Sequence, residues 1–327
     1  MKIPRVIAFG QAGVDFVGRE QNTSLKEMLT FEKAAGGTPA NVAVGLAKLR
    51  ISVMFFGKVG DDSFGHFLAD TLQANGVDVS ELRFERTAKT TIGFESTLEE
   101  PELLIYGAPG PHILIRKDEV SERCFQGNSI FHFGSMTLTH NPGRETTFFA
   151  ADLAIKKGLF VSFDPNLRLS IWSNVGEAKE TVKRALEKAH LVKLSFDEFK
   201  VLSGFEETER INEFRSEYDI DLLSITLGTK GSFYCNRYHH GFVEGKKVEV
   251  LDTTGAGDGF CVGLLYKVIQ LNAADSISLS NLTKEQLIEI TEFANAAGAL
   301  TTMRLGVIPA LPTIEKINTF LQGHRRE

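Results

Sequence analysis

Cysteine is scarce in this chain: Cys124, Cys235 and Cys261 are the only three in 327 residues. Few, odd in number and far apart, they exclude a disulfide framework and offer no metal-ligand spacing, so reduced packing thiols are expected. The eight histidines show no pairing at metal spacing, and His132, inside the apolar Phe131-His132-Phe133, reads as a hydrogen-bonded core residue. No apolar run approaches the roughly 18 residues of a membrane span. Lys2-Ile3-Pro4 leads directly into the strand-like Val6-Ile7-Ala8-Phe9, so no signal peptide and a cytoplasmic location are expected. Lysine and arginine (36) are outnumbered by aspartate and glutamate (42), which leaves no broad basic footprint for nucleic acid or an anionic membrane. Two nucleotide motifs are also missing. Without Gly-x-x-x-x-Gly-Lys-Ser/Thr a P-loop kinase is disfavoured, and without Gly-x-Gly-x-x-Gly after the first strand a nicotinamide-dependent dehydrogenase has little support.

What is present is an ordinary globular composition, 43% hydrophobic and 24% charged, in a chain long enough for one large α/β domain and a smaller appendage. Apolar runs at Ile51–Phe56, Ile130–Phe133, Leu159–Phe163, Leu191–Leu194 and Leu222–Leu227 alternate with helix-period stretches. That alternation predicts a mostly parallel sheet with helices on both faces. Two stretches, Asp15–Lys33 and Lys89–Lys117, have no long helical face. In the second, Thr90–Thr97 and Leu103–Tyr106 flank the acidic tip Glu99-Glu100-Pro101-Glu102 and read as a hairpin with a solvated turn. The two stretches are expected to meet as one small sheet.

Two glycine-rich turns carry the candidate chemistry. Asp252-Thr253-Thr254-Gly255-Ala256-Gly257-Asp258-Gly259-Phe260 precedes an apolar, helix-like run to Ile269. A helix start has unpaired amides and the positive end of the helix dipole, and so suits a phosphoryl group. Two readings fit Asp258: a helix cap, or a base that removes a proton from a hydroxyl attacking that group. The second turn, Ala35-Gly36-Gly37-Thr38-Pro39-Ala40-Asn41-Val42-Ala43, is another glycine-rich helix start with a polar residue on its first turn.

Together these motifs resemble the two signatures of the PfkB carbohydrate kinases, the ribokinase-like sugar kinases. Gly57–Gly65, Phe163-Asp164-Pro165-Asn166-Leu167-Arg168, Thr226–Gly231 and Phe293–Ala299 extend the resemblance over nearly the whole chain. The Asp164–Arg168 stretch followed by Trp172 looks most like fructokinases. The implied fold is a three-layer α/β sandwich, with residues 1–14, 34–88 and 118–327 forming the large domain. Residues 15–33 and 89–117 would form a β lid that closes over a sugar and often joins two copies as a dimer. Phe94 and Ile105, on the lid strands, are expected to support sugar binding.

The resemblance also implies roles for individual residues. Asp258 would be the catalytic base, with Gly255, Ala256 and Gly257 as the anion hole. Asp15, at the end of the first strand, Gly37, Asn41 and Arg168 would contact the sugar. Asp15 also reads as a turn carboxylate, Asn41 as a helix-terminus residue and Arg168 as a salt-bridge partner. Thr226, Gly228 and Gly231 would run along the phosphates of ATP, and Asn295 would lie in the wall of the adenine pocket. Glu198 would help organise Mg2+, although Ser195 stands where the family has Asn. Asp252 and Thr254, with residues 304–309, would form an oxygen cage for K+. The implied reaction is phosphoryl transfer from ATP to a sugar, D-fructose first, giving fructose 6-phosphate. Gly107 stands where fructokinases usually carry Arg after the tyrosine, which keeps 2-keto-3-deoxygluconate, ribose or a nucleoside open as substrates. A sugar-binding regulator without catalysis is a further alternative, opposed by the intact Gly-Ala-Gly-Asp.

Overall fold

The computed structural model describes residues 6–98, 102–275 and 278–324. In chain order the first strands are β1 (Val6–Gly10), β2 (Gly13–Gly18), β3 (Phe31–Gly36), β4 (Val53–Gly60), β5 (Asp78–Glu85), β6 (Ile92–Glu95) and β7 (Leu103–Tyr106). Then follow β8 (Ile130–Phe133), β9 (Phe160–Phe163), β10 (Leu191–Ser195), β11 (Leu222–Thr226), β12 (Gly231–Asn236) and β13 (His240–Glu244). The helices are α1 (Thr38–Lys48), α2 (Ser63–Ala74), α3 (Gly143–Lys156), α4 (Val175–Leu186), α5 (Phe196–Ser203), α6 (Ile211–Glu217), α7 (Ala256–Asp275), α8 (Lys284–Thr301), α9 (Val307–Ala310) and α10 (Ile314–Gly323).

Nine strands form the large sheet in the order β13-β12-β11-β10-β9-β8-β1-β4-β5, antiparallel only at β11-β12-β13. Its central strands β1, β4 and β8 are buried along their whole length, which their nearly continuous apolar sequences require. Helices α1, α7 and α8 cover one face, and α3 to α6 cover the other. Among the described residues no helix is long and apolar enough to cross a membrane. The three cysteines are buried free thiols, and His132 is buried with Nδ1 3.1 Å from Ser162 Oγ. From β1 the chain builds outward to β4 and β5 on one side and, later, from β8 onward on the other. The strand order therefore reverses between β1 and β8, the kind of position where such sheets bind ligands beyond the carboxyl ends of their strands.

The small sheet has the order β3-β2-β6-β7. It exceeds the span expected for its first half, because β2 begins at Gly13 and β3 runs to Gly36. Asp15 lies inside β2; the first strand ends at Gly10, before it, so the expected position at the end of that strand is corrected. In the second half, residues past Tyr106 leave the sheet. Ile113 and Ile115 are buried in the core of the large domain, and Leu114 O accepts a hydrogen bond from Lys58 Nζ at 3.0 Å. Pairing of Gly93 with Ile105 and of Phe94 with Leu104 fixes which side chains share a face. Phe94 stacks on Phe16 at 5.2 Å and meets Phe31 and Tyr106 edge-on, all on one face. Ile105 is on the opposite face.

Of the acidic tip, residues 99–101 lie outside the described residues. Glu102 is exposed but more than solvated: its Oε2 accepts Leu25 N–H at 2.7 Å, its N–H donates to Ser96 Oγ at 2.8 Å, and its carbonyl accepts Ser96 N–H. The loop after β2 is thus tied to the β6–β7 connection. Glu102→Ala should destabilise the chain by about 1 kcal/mol, the usual worth of one such bond. Thermal melts should fall by roughly 2 °C; an unchanged midpoint would show the tie to be idle.

Candidate active site

Two cavities open at the carboxyl end of the large sheet and share a wall. The first, about 390 Å³, is lined by Asp15, Gly93, Glu95, Leu103 and Ile105 of the small sheet and by Gly37, Asn41, Arg168, Gly255 and Asp258 of the large domain. The second, about 760 Å³, is lined by Thr226, Gly228, Gly231, Lys246, Ala256 and Asn295. Lys193, Thr253 and Gly257 border both. Both volumes are in the range of small-molecule sites.

Asp258 sits on the first turn of α7 and is 7% exposed. Burial raises its pKa, opposed by a hydrogen bond from Asn41 Nδ2 to its Oδ2 at 2.7 Å and by the charges of Lys193 and Arg168. Such a carboxylate is a stronger base than an exposed one, yet is held in place. Gly257, on the first turn of α7, borders both cavities; Ala256 N–H is bonded to Thr253 O at 3.2 Å, and a helix start leaves further amides without intrahelical acceptors.

Lys193 occupies that junction. It points from β10 with its ammonium 3.2 Å and 3.3 Å from the two oxygens of Asp164, and it is 6% exposed. Burial disfavours its charge, but Asp164, Glu198 and Asp258 outweigh burial and push its pKa above the ordinary lysine value. It therefore carries a full positive charge beside the Gly255–Gly257 turn. A Cβ on Gly257 would lie 2.9 Å from Lys193 Nζ, so glycine there keeps the ammonium and the turn in close approach. No role was expected for Lys193, although a lysine inside the apolar run Leu191–Leu194 is a visible signal, since lysine is rarely buried without a partner.

Asp15 also needs space made by glycine. A Cβ at Gly36 would lie 1.8 Å from its Oδ2, and one at Gly93 would lie 2.9 Å from its Oδ1. Burial, with the nearby charges of Glu95 and Asp258, raises its pKa to about 7. Gly37, with φ 103°, precedes α1, and Pro39 in the first turn sets the helix direction. Arg168 lines the first cavity and, among the described residues, forms no ion pair, so the salt-bridge alternative is not observed. Gln11 Oε1, Thr91 Oγ1 and Asn41 Oδ1 line the same cavity and are buried without hydrogen-bond partners. Gln11, Thr91 and Glu95 were not anticipated.

The remaining expected residues divide. Thr226, Gly228 and Gly231 line the second cavity at the β11–β12 turn. Asn295 lines it too, but its amide is engaged, accepting from Ser232 Oγ at 2.8 Å and donating to Val243 O at 3.2 Å. Glu198 lines neither cavity. Its two oxygens accept the amides of Leu167 at 2.6 Å and Ser195 at 2.7 Å, closing a capping box on α5 in which Ser195 Oγ accepts Glu198 N–H at 3.2 Å. Asp252 is likewise structural in contact: Oδ1 accepts Thr254 N–H at 2.8 Å and Oδ2 accepts Gly306 N–H at 3.1 Å, joining the glycine-rich turn before α7 to the loop before α9. Thr254 lines the first cavity and donates to Glu95 Oε1 at 3.3 Å.

A mostly parallel sheet with a second small sheet walling one cavity, and a basic carboxylate and a buried ammonium at the passage to another, define the ribokinase-like class of sugar kinases. Residues 4–314 match the pfkB family carbohydrate kinase, and the chain belongs to that family. It is 38% identical to the probable fructokinase-6, chloroplastic, of Arabidopsis thaliana over 97% of this chain and 82% of that one. A fructokinase double mutant from Vibrio cholerae O395, in its fructose, ADP and potassium ion bound form, superposes with TM-score 0.87 at 33% identity, covering 98% of both chains. Fructokinase from Xylella fastidiosa with bound ATP gives 0.90 at 30% identity, again over 98% of each.

The raised pKa of Asp15 has a measurable consequence. Between its ordinary value of 3.8 and about 7 the folded chain keeps a proton that the unfolded chain has released. This group's contribution to stability therefore falls as pH rises through that window and is level above it. Asp15→Asn removes the dependence, so thermal melts should show the variant gaining on the parent from about pH 4 to pH 7. A difference that stays constant with pH would contradict this assignment.

Proposed function

We propose that the chain is an ATP-dependent fructokinase that transfers the γ-phosphoryl group to the 6-hydroxyl of D-fructose. The observation that carries this reading is the shared wall: Asp258 faces the first cavity and Lys193 stands where the first meets the second. Fructose occupies the first cavity, with Asp15, Asn41, Gly37 and Arg168 at its hydroxyls, and the small sheet acts as a lid. ATP occupies the second, its phosphates along Thr226, Gly228 and Gly231 and its base near Asn295, whose engaged amide shapes the wall.

Asp258 takes the proton of the sugar hydroxyl as its oxygen bonds to the γ-phosphorus, and the bond from that phosphorus to the β-phosphate bridge breaks to release ADP. Charge on the moving phosphoryl oxygens meets the amides of the Gly255–Gly257 turn and the Lys193 ammonium, which are already oriented. Among the described residues no cluster of three His, Cys, Asp or Glu could hold a metal. That fits Mg2+ arriving on the nucleotide, held by phosphates and water. Glu198 then acts by anchoring the turn after β10. The join between the Asp252 turn and Gly306 supports a K+ cage built from the oxygens of those two loops. Leu104 and Tyr106, 47% and 56% exposed on the far face of the small sheet, support pairing of two copies through it.

Asp258→Asn should keep the fold and sugar binding and lose roughly 10²-fold to 10⁴-fold in kcat, with KM for fructose moving far less. Near-normal turnover in coupled ADP-release assays would remove Asp258 from the mechanism.

Lys193→Met should lower kcat roughly 10²-fold or more, as loss of one oriented transition-state donor does. Because that change strands Asp164, the double variant K193M/D164N is measured beside it. If the folded double variant retains normal turnover, the phosphoryl role of Lys193 is wrong.

A further inference from the structure

The first cavity contains a carboxylate that the proposed reaction does not use. Glu95 shares a face of β6 with Gly93, and Gly93 lies in register with Asp15 on the neighbouring strand β2. Asp15 and Glu95 therefore project from one face of the small sheet into the same cavity. Among the described residues, the one hydrogen bond to the Glu95 side chain comes from Thr254 Oγ1 at 3.3 Å, on Oε1. Neither Asp15 nor Glu95 forms an ion pair among the described residues. Two cations line the cavity, and one of them, Lys193, is committed to Asp164. The other, Arg168, is shared electrostatically between Glu95 and Asp258. Asp252, behind Thr254, adds further negative potential to Glu95. The small-sheet wall is thus rich in hydrogen-bond acceptors and short of positive charge, and burial with these neighbours raises the pKa of both carboxylates.

A hexose whose reacting hydroxyl lies at Asp258 meets the small-sheet wall of the same cavity with its remaining carbons. For a 2-ketohexose phosphorylated on oxygen 6, the last of these along the chain is carbon 1. We propose that Glu95, together with Asp15, reads the charge at carbon 1 of the acceptor sugar, accepting a hydroxymethyl or a protonated aminomethyl group and rejecting a carboxylate. Acceptor oxygens bind donors, and an ammonium adds charge to the hydrogen bond. A carboxylate would either meet like charge on Glu95 and Asp15 or have to hold their protons in place, a cost that an ammonium or a hydroxymethyl group does not meet. This inference rests on the first cavity being the sugar site. Within that reading it assigns Glu95 as a specificity determinant, admits ketosamines as substrates and excludes 2-keto-3-deoxygluconate.

Three acceptors test it: fructose, 1-amino-1-deoxyfructose and 2-keto-3-deoxygluconate, which differ in charge at carbon 1. With the full chain and ATP, kcat/KM is measured for each at neutral pH, for the wild type and for Glu95→Gln, which keeps an acceptor for Thr254. The wild type should use the amine at least as well as fructose and the acid roughly a hundredfold less well. In E95Q the amine-to-fructose ratio should fall roughly tenfold and the acid-to-fructose ratio should rise by a similar factor, the scale of one charge-assisted hydrogen bond. A purely structural role would lower all three together and leave the ratios unchanged, which overturns the proposal while the kinase reading stands. A wild type that prefers the acid to the amine overturns it without any variant. No turnover of any of the three contradicts the fructokinase reading and takes this inference with it.

Discussion

A lysine ammonium buried between two cavities, held by a buried carboxylate, is the interaction on which the rest of the site depends. Left unpaired in so dry a place, Lys193 would release its proton, and Asp164 would take one up. Together they remain an ion pair at 3.2 Å, with Glu198 and Asp258 adding to the field that keeps the lysine charged. Such pairs contribute little net stability, because desolvation offsets most of the attraction. What the pair provides is a fixed positive charge at the passage between the cavities. The same economy of charge governs Asp258, which stays an effective base because Asn41 donates to it while burial raises its pKa.

The fold makes this arrangement possible by bringing distant segments to one edge. Asn41 and Asp258 are 217 residues apart in sequence, yet α1 and α7 lie side by side on one face of the large sheet. Lys193 lies in the middle of β10, and Asp164 directly follows its parallel neighbour β9. The small sheet contributes the opposite wall. Its central pair carries Asp15 toward the cavity, while Phe16 and Phe94 stack on the other face. One four-stranded sheet thus has an acidic face for a polar ligand and an aromatic face for packing.

Much of this was legible in the residues. The alternation of apolar strands and helices, the two glycine-rich helix starts and the separated strand-rich segments correspond to the two sheets and to the cavity rims. What the chain alone could not supply was register. Period-two alternation shows that Phe94 and Ile105 lie on strands, but only the pairing of Gly93 with Ile105 shows that Ile105 faces the cavity and Phe94 faces away. Asp15 moved from a strand end to a strand interior because β1 stops at Gly10. Glu198 was expected to help organise Mg2+ and Asp252 to join an oxygen cage for K+; both carboxylates also accept backbone amides that close turns, a contact that residue type alone does not reveal. Lys193 and Glu95 went unassigned because their partners, Asp164 and Thr254, are far away in sequence and meet them only across strands and sheets.

The proposed reaction is a direct in-line transfer between the two cavities, from ATP to the 6-hydroxyl of fructose. It is tested most directly with ATP made chiral at the γ-phosphorus by oxygen isotopes, with fructose as acceptor, followed by analysis of the phosphorus configuration in the sugar phosphate formed. Fructose 6-phosphate with inverted configuration is expected, as one displacement requires. Retained configuration, which would demand a phosphorylated protein intermediate, or label that never reaches fructose, would contradict it.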